Sequence, residues 1–234
     1  MRRIALVLTL LLAAGPVCAA GAGLRWNECE GESNRNFACD RSTGSDVLVG
    51  SFQTPAAIDL LGIEVYFRIT SPEGAVPSWW HMWDSGDCRR AASNLSVDMS
   101  GEAGCDDPWL GQATGLYAPH SYSERGLELW MIMAVPATAP SSLSPGRTYA
   151  AFRLNITHAR STGTAACTGC STPACIAIER MVLAMDNHRN VELTVGLPGL
   201  GGAGNIATWQ GGTPTCGAGA PKSSTWSELK RRFK

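Results

Sequence analysis

The stretch GIEVYFRI, residues 62–69, alternates apolar and polar side chains with a period of two. In an extended strand, its two classes of side chain point to opposite faces: Ile63, Val65, Phe67 and Ile69 against Glu64, Tyr66 and Arg68. The stretch therefore predicts a strand that is buried on one face, which is typical of antiparallel sheets.

The same period recurs elsewhere in the chain. Residues 127–135, LELWMIMAV, and residues 149–157, YAAFRLNIT, place apolar side chains at every second position. The other face of 127–135 is also largely apolar, because it carries Trp130 and Ile132, and this favours a central strand. Three more stretches have the composition of strands: DVLVGSF (46–52), CIAIERMVLAM (175–185) and VELTVGL (191–197).

Between these stretches lie clusters of glycine, proline, serine, aspartate and asparagine, which favour turns. Apart from the C-terminal end, no long segment shows the 3.6-residue period of a helix. Many strands and few helices predict an all-β fold, here an antiparallel β-sandwich of the jelly-roll or immunoglobulin-like type.

The first 20 residues have the features of an export signal. Arg2 and Arg3 supply positive charge, residues 4–15 form an apolar run too short to cross a bilayer, and small residues follow it. No later segment is apolar over the length of a membrane helix. We therefore expect a secreted protein, periplasmic or extracellular, without a membrane span.

The C-terminal part is expected to differ from the β-sandwich domain, which we place at residues 21–197. Residues 198–222 are rich in glycine and proline and predict a linker. Residues 223–234 predict a short amphipathic basic helix. Its apolar stripe would consist of Trp226, Leu229 and Phe233.

Charge separates the body of the chain from its tail. Residues 21–221 carry 12 arginines and 19 acidic residues, whereas residues 222–234 carry five basic residues and one acid, Glu228. An acidic body disfavours binding to a phosphate backbone, so nucleic acid is not an expected partner.

The cysteine content agrees with export. Cys18 lies in the export signal, and eight cysteines follow it: Cys29, Cys39, Cys88, Cys105, Cys167, Cys170, Cys175 and Cys216. An even number in an exported chain predicts disulfides. The stretch CTGCSTPAC (167–175) has no histidine at a regular ligand spacing and lies in a loop rather than at a helix N-terminus. A zinc site and a redox-active pair are therefore disfavoured.

Two local pairs are expected, Cys29–Cys39 and Cys88–Cys105, because each would close a short polar loop.

Within residues 167–175, Cys167 and Cys175 would face each other across the loop and leave Cys170 for Cys216. The pairs Cys170–Cys175 and Cys167–Cys170 remain open as alternatives. In each version one of these three cysteines bonds Cys216 and ties the glycine-rich segment to the body.

The sequence lacks the usual catalytic signatures. It contains no G-x-S-x-G, H-E-x-x-H, glycine-rich phosphate loop or EF-hand loop, and its four histidines are scattered: His81, His120, His158 and His188. An enzymatic function is therefore disfavoured. Carboxylates that meet only in the fold, as glycosidases require, remain open.

Aromatic and acidic residues are densest in PSWWHMWDSGDCRR (77–90) and CDDPW (105–109). A Cys88–Cys105 bond would bring these two stretches together. The candidate binding residues are Trp79, Trp80, Trp83, Asp84, Asp87, Asp106, Asp107 and Trp109.

Three interpretations of this region are open. Exposed tryptophans would stack on sugar rings while carboxylates bind the hydroxyls. The aspartates would instead bind calcium, the one cofactor that the residues suggest. In the third interpretation the tryptophans cover the end of a sheet and the aspartates lie in turns. Because Trp79 and Trp80 are adjacent, a strand would bury one and expose the other.

Several stretches resemble segments of a set of uncharacterised, exported bacterial proteins. They are RWNECEGESNRNFACD (25–40), LVGSF (48–52), CTGCSTPACIAIERM (167–181), ATWQGG (207–212) and TWSELKRRFK (225–234). The resemblance implies a secreted β-rich protein with paired cysteines. It supplies neither a catalytic residue nor a ligand.

These observations predict a secreted, disulfide-stabilised β-sandwich with a binding or structural role at the cell surface or outside the cell. A glycan or another cell-surface polymer is the candidate partner. The alternatives are an extracellular hydrolase of polysaccharide and a calcium-binding surface module.

Overall fold

The computed structural model describes residues 20–123, 126–186, 189–193 and 204–211, with only the backbone described at 116–119. Within these ranges the chain forms one 3₁₀ turn, Ser78–Trp80, and twelve strands. The strands are β1 (Gly21–Trp26), β2 (Asn34–Arg35), β3 (Ser45–Gln53), β4 (Ile58–Thr70), β5 (Ser93–Ser96), β6 (Thr114–Ser123), β7 (Gly126–Ala134), β8 (Ser141–Leu143), β9 (Tyr149–Thr157), β10 (Ala174–Met185), β11 (Asn190–Leu193) and β12 (Ile206–Trp209).

The strands form two sheets. The smaller sheet has the order β1-β3-β9-β5 and is antiparallel throughout. The larger sheet has the order β2-β12-β10-β4-β7-β6, with β11 added to β10 and β8 to β4, and only β2 and β12 run parallel in it. The all-β prediction is confirmed. The jelly-roll or immunoglobulin-like type stays a prediction.

Strand β4 is central, as its alternating sequence predicts. It pairs with β7 on one side and β10 on the other, and its alternate apolar side chains are buried. Phe67 of β4 meets Phe152 of β9 edge to face at 6.5 Å between ring centroids, so one core joins the two sheets. The second face of β4 points away from this core.

The segment predicted as a linker, 198–222, contains strand β12. Trp209 in this strand is fully buried, stacks on Trp79 at 4.9 Å and lies 5.7 Å from Trp26. Its indole nitrogen donates to the carbonyl of Cys170. The linker prediction is therefore wrong for this strand, because tertiary contacts order a stretch whose composition favours loops.

Three disulfides have both partners in the described residues, and both predicted local pairs are wrong. The bonds are Cys29–Cys105, Cys39–Cys170 and Cys88–Cys167. Their Cα–Cα distances of 5.9–6.0 Å are ordinary for disulfides. The sheets bring together loops that are distant in sequence, and short loop length did not predict this.

The three pairs considered within residues 167–175 are also wrong, because Cys167 and Cys170 bond Cys88 and Cys39. Cys175 is likewise disulfide-bonded. Cys216 lies outside the described residues, so its bond to one of these three cysteines stays a prediction.

The predicted export signal and C-terminal helix also lie outside the described residues, apart from residue 20. Among the residues described, no helix has the length and apolar character needed to cross a membrane. Disulfides in an all-β domain are typical of proteins from oxidising compartments.

Candidate functional site

Three of the four tryptophans predicted to bind ligand lie in the core. Trp79, Trp80 and Trp109 are fully buried. Trp79 and Trp80 belong to the 3₁₀ turn, which lets two adjacent side chains enter the core together. The expectation that one of them is exposed is therefore wrong, and none of the three can stack on a ligand.

Hydrogen bonds and a buried cation hold Trp79 in place. Its indole nitrogen donates to the hydroxyl of Ser161, and the guanidinium of Arg89 lies 3.6 Å from its ring centroid. Arg89 is 1% exposed and donates to the carbonyls of Trp79, Thr157 and Ala159. Burial lowers the pKa of Arg89 to about 9, which still leaves it charged at neutral pH.

Asp106 and Asp107 have structural partners of their own. Asp106 forms a two-pronged ion pair with Arg147, at 2.5 and 2.6 Å. Asp107 accepts a hydrogen bond from the backbone nitrogen of Trp109. Because Cys105 bonds Cys29, no disulfide joins these aspartates to the stretch 77–90, contrary to expectation.

Two of the remaining predicted residues, the exposed Asp84 and the partly buried Trp83, belong to what we call the Trp83 cluster, formed by His81, Trp83, Asp84, His120 and Tyr122. His120 is its centre: its ring lies 6.1 Å from that of Trp83 and 5.4 Å from that of Tyr122. Its Nε2 lies 3.1 Å from Oδ1 of Asp84, whose side chain is 60% exposed. The His81 ring covers Tyr122 at 4.2 Å. The cluster thus combines partly exposed rings with an exposed carboxylate.

Asp87 lies beneath this cluster and anchors it. Its Oδ2 accepts hydrogen bonds from the backbone nitrogens of Trp83 and Asp84, both at 2.7 Å, and from the Tyr122 hydroxyl at 2.6 Å. Burial acts to raise the pKa of Asp87, but these three bonds outweigh it and lower the pKa overall. Asp87 is therefore a fixed carboxylate that shapes the loop.

Tyr122 is held as a hydrogen-bond donor. Burial raises the pKa of its phenol well above the usual value, and the charge and hydrogen bond of Asp87 act in the same direction. Both His120 and Tyr122 come from β6, two positions apart, so they share one face of that strand.

The loop that carries Trp83 is fixed at its base. Backbone bonds join Arg89 to His81 and Ala91 to Met82, and the disulfide Cys88–Cys167 ties the same segment to a distant loop. The cluster is thus built on a cross-linked support.

A second histidine, His158, is buried with Asp46 and is 2% exposed. Its Nε2 lies 2.8 Å from Asp46, its Nδ1 lies 3.1 Å from the Thr43 carbonyl, and Phe37 stacks on its ring at 3.8 Å. Arg35 bonds the other oxygen of Asp46. Both ring nitrogens face acceptors, so neither is placed to activate a hydroxyl or thiol. This group holds β3 against the end of β9.

The larger sheet presents a second surface, which we call the outer face, on the side away from the core. Its residues include Glu64, Tyr66 and Arg68 of β4, Glu128, Trp130 and Ile132 of β7, and Arg180, Val182 and Ala184 of β10. A ladder crosses it: Arg180 lies 3.9 Å from the Tyr66 ring centroid, and Tyr66 stacks on Trp130 at 6.1 Å.

His81, His120 and Tyr122 were not predicted as site residues. The sequence does hold a signal for two of them, because His120 and Tyr122 are spaced for one face of a strand. The strand itself was not predicted, and nothing local indicates that it lies beside Trp83.

No protein-family profile matches this chain, and no curated protein sequence matches it either. The described residues contain no group of three or more histidines, cysteines and acids arranged to hold a metal ion. Calcium binding therefore stays a prediction with no site assigned to it.

Proposed function

We propose that this protein is an exported, non-catalytic binding protein and that it binds carbohydrate through the Trp83 cluster. The observation that supports this most directly is the position of Trp83. Of the four tryptophans in the predicted region, it alone is only partly buried against the core, and it has His120 and the exposed Asp84 beside it. A ring for stacking with nearby hydrogen-bonding groups is the usual chemistry of sugar recognition.

The rigid support of the cluster favours binding. A loop that is fixed before the ligand arrives loses little conformational entropy on binding. Asp87, the Cys88–Cys167 bond and buried Arg89 together hold the backbone on both sides of Trp83.

Hydrolysis of polysaccharide, the alternative function, has weaker support in the described residues. A glycosidase needs one carboxylic acid with a raised pKa beside a second carboxylate. The two aspartates of the loop do not fit this pattern, because Asp87 has a lowered pKa and is held by three hydrogen-bond donors.

The test uses the mature protein and a glycan array, followed by fluorescence titration with the glycans that bind. We expect a bound glycan to change tryptophan fluorescence, Trp83→Ala to abolish binding, and Asp84→Asn to weaken it. Trp130→Ala, on the outer face, is the matched control and should bind normally.

Loss of binding in Trp130→Ala, with Trp83→Ala unaffected, would move the site to the outer face and contradict the proposal. Release of reducing sugar during the titration would favour the hydrolase. A melting temperature that falls with chelator, without any glycan binding, would favour the calcium-binding module.

A further inference from the structure

The outer face of the larger sheet holds an apolar groove that the proposed sugar site does not use. The groove has a volume of about 230 Å³ and lies where β10, β4 and β7 run side by side. Its lining includes Gly62, Glu64, Ile132, Ala134 and Ala184. The small side chains at 62, 134 and 184 make it wide enough to receive a large apolar side chain.

We propose that the C-terminal segment of the same chain, 222–234, docks in this groove. Its sequence offers three large apolar residues at helical spacing: Trp226, Leu229 and Phe233. An amphipathic helix commonly binds by placing such residues in an apolar groove. A segment this short is marginally stable alone and gains most of its stability from packing.

The charge of the C-terminal segment also supports its docking in this groove. The segment carries five basic residues and one acid, whereas residues 21–221 have seven more acids than arginines. Glu64 lines the groove itself. Glu192 of the neighbouring strand β11 pairs with Arg180 at 3.7 Å and keeps a side chain that is 50% exposed. Opposite charges around an apolar contact favour one partner and one orientation.

The position of Cys175 indicates how the C-terminal segment reaches the outer face. Its neighbours Ala174 and Ile176 belong to the core cluster, whereas Cys175 does not, although it is only 7% exposed. Alternation along β10 therefore places it on the outer face, between Thr70 and Thr208 of the adjacent strands.

Cys175 is disulfide-bonded, while the other six described cysteines bond one another. Cys18 lies in the predicted export signal, so Cys216 is the partner that the mature chain offers. We infer a Cys175–Cys216 bond. This bond would bring the chain onto the outer face six residues before the docking segment.

The distances allow this arrangement. From Cys175 to Ala184 along β10 is about 30 Å at the rise of a strand. Residues 217–222 span up to about 20 Å when extended, and a helix of 13 residues adds about 20 Å. The chain is therefore long enough for the apolar stripe to reach the groove.

Photo-crosslinking in the full mature chain tests the proposal, with Phe233 replaced by benzoylphenylalanine. We expect an intramolecular crosslink to peptides of β4, β7 or β10 that line the groove. Leu229→Asp in the same background should reduce the yield severalfold, and Glu228→Gln, its neighbour on the polar side, should not. Non-reducing peptide mapping should find Cys175 bonded to Cys216.

Crosslinks to the Trp83 cluster, crosslinks between chains that rise with protein concentration, or no crosslink at all would overturn the docking. A partner other than Cys216 on Cys175 would overturn the tether. Glycan binding is measured separately by the array and the fluorescence titration, and a tail docked elsewhere than the Trp83 cluster does not affect it, so this proposal and the proposed function can fail separately.

Discussion

At the scale of single residues, the Trp83 cluster depends on buried groups that support its loop. Arg89 is a buried cation whose side chain donates hydrogen bonds to three backbone carbonyls. It lies under Trp79 and joins the loop before Trp83 to the end of β9. A single side chain thus links the core to the candidate site.

Arg89→Ala should therefore be strongly destabilising. The change leaves buried carbonyls without donors and opens a cavity beside Trp79, which together cost about 3 kcal/mol or more. Urea denaturation followed by circular dichroism measures this. Arg90→Ala is the matched control, because Arg90 is exposed and its loss should change stability by less than about 0.5 kcal/mol. Equal effects in the two variants would contradict this role.

Asp87 should give the stability of the fold a measurable dependence on acid. Its folded-state pKa lies below its unfolded value, so the unfolded chain binds more protons in the interval between them. Its stabilising contribution is therefore complete above about pH 4 and disappears as the pH falls through the folded pKa.

Asp87→Asn should lower the melting temperature at pH 7, and the difference from wild type should shrink as the pH is lowered from about 4 towards 2. The measurement is thermal unfolding of both proteins across that range. A gap between wild type and variant that stays constant with pH would show that Asp87 acts by shape alone.

At the scale of elements, the local sequence pattern predicts some strands, whereas tertiary contacts determine others. Alternation predicts strands β4, β7 and β9, and composition predicts β3 and β10; each of the five has one face in the core. Strand β12 was not predicted, since its four residues lie in a glycine-rich stretch and are ordered by contacts with Trp26 and Trp79. The 3₁₀ turn was not predicted for the same reason, because the local sequence SWW is equally compatible with a turn and with a strand.

The same division applies to the candidate site. Composition drew attention to the stretch 77–90, and Trp83 and Asp84 of the proposed site come from it. Composition could not tell that Trp79 and Trp80 are buried while Trp83 is only partly buried, since burial depends on which loop the 3₁₀ turn packs against. The partners His120 and Tyr122 arrive from β6, about 40 residues later in the sequence.

The start of β7 offers a sharp test of the strand packing. Gly126 has a φ of +124°, and a Cβ there would lie 2.2 Å from the carbonyl oxygen of Ile69 in β4. Gly126→Ala should thus cost about 3 kcal/mol or more, since both backbone conformation and space oppose it.

Gly146→Ala separates these two causes. Gly146 also has a positive φ, +77°, but nothing lies within 4 Å of a Cβ there. This variant should lose only about 1 kcal/mol from backbone strain. The urea midpoints of the two variants give the comparison. Similar losses of unfolding free energy would mean that β4 shifts to accommodate the added methyl group.

At the scale of the whole molecule, disulfides replace local connectivity. The bonds span 76, 131 and 79 residues, and each joins loops that the chain visits far apart. Loops of this length gain about 4–5 kcal/mol per bond in the chain-entropy account. Reduction should therefore lower the melting temperature far more than any single substitution above.

We expect every cysteine of the mature chain to be oxidised. Alkylation of the denatured but unreduced protein should label none of the eight, as counted by intact mass. Labels on both Cys175 and Cys216 would contradict the inferred fourth bond, and the other three bonds would be unaffected by that result.

The crossed pattern of the bonds has a consequence for how the protein is made. In the export that we propose, Cys39 would leave the translocation channel after Cys29, and Cys105 after Cys88, yet neither adjacent pair is bonded in the folded protein. An oxidant that joined thiols as they emerged would produce the wrong isomer. Once adjacent thiols have been joined, the correct bonds form only by exchange through mixed disulfides. The yield of this protein should therefore depend on a disulfide isomerase in the compartment that receives it, and cells without that activity should accumulate chains closed between Cys29 and Cys39.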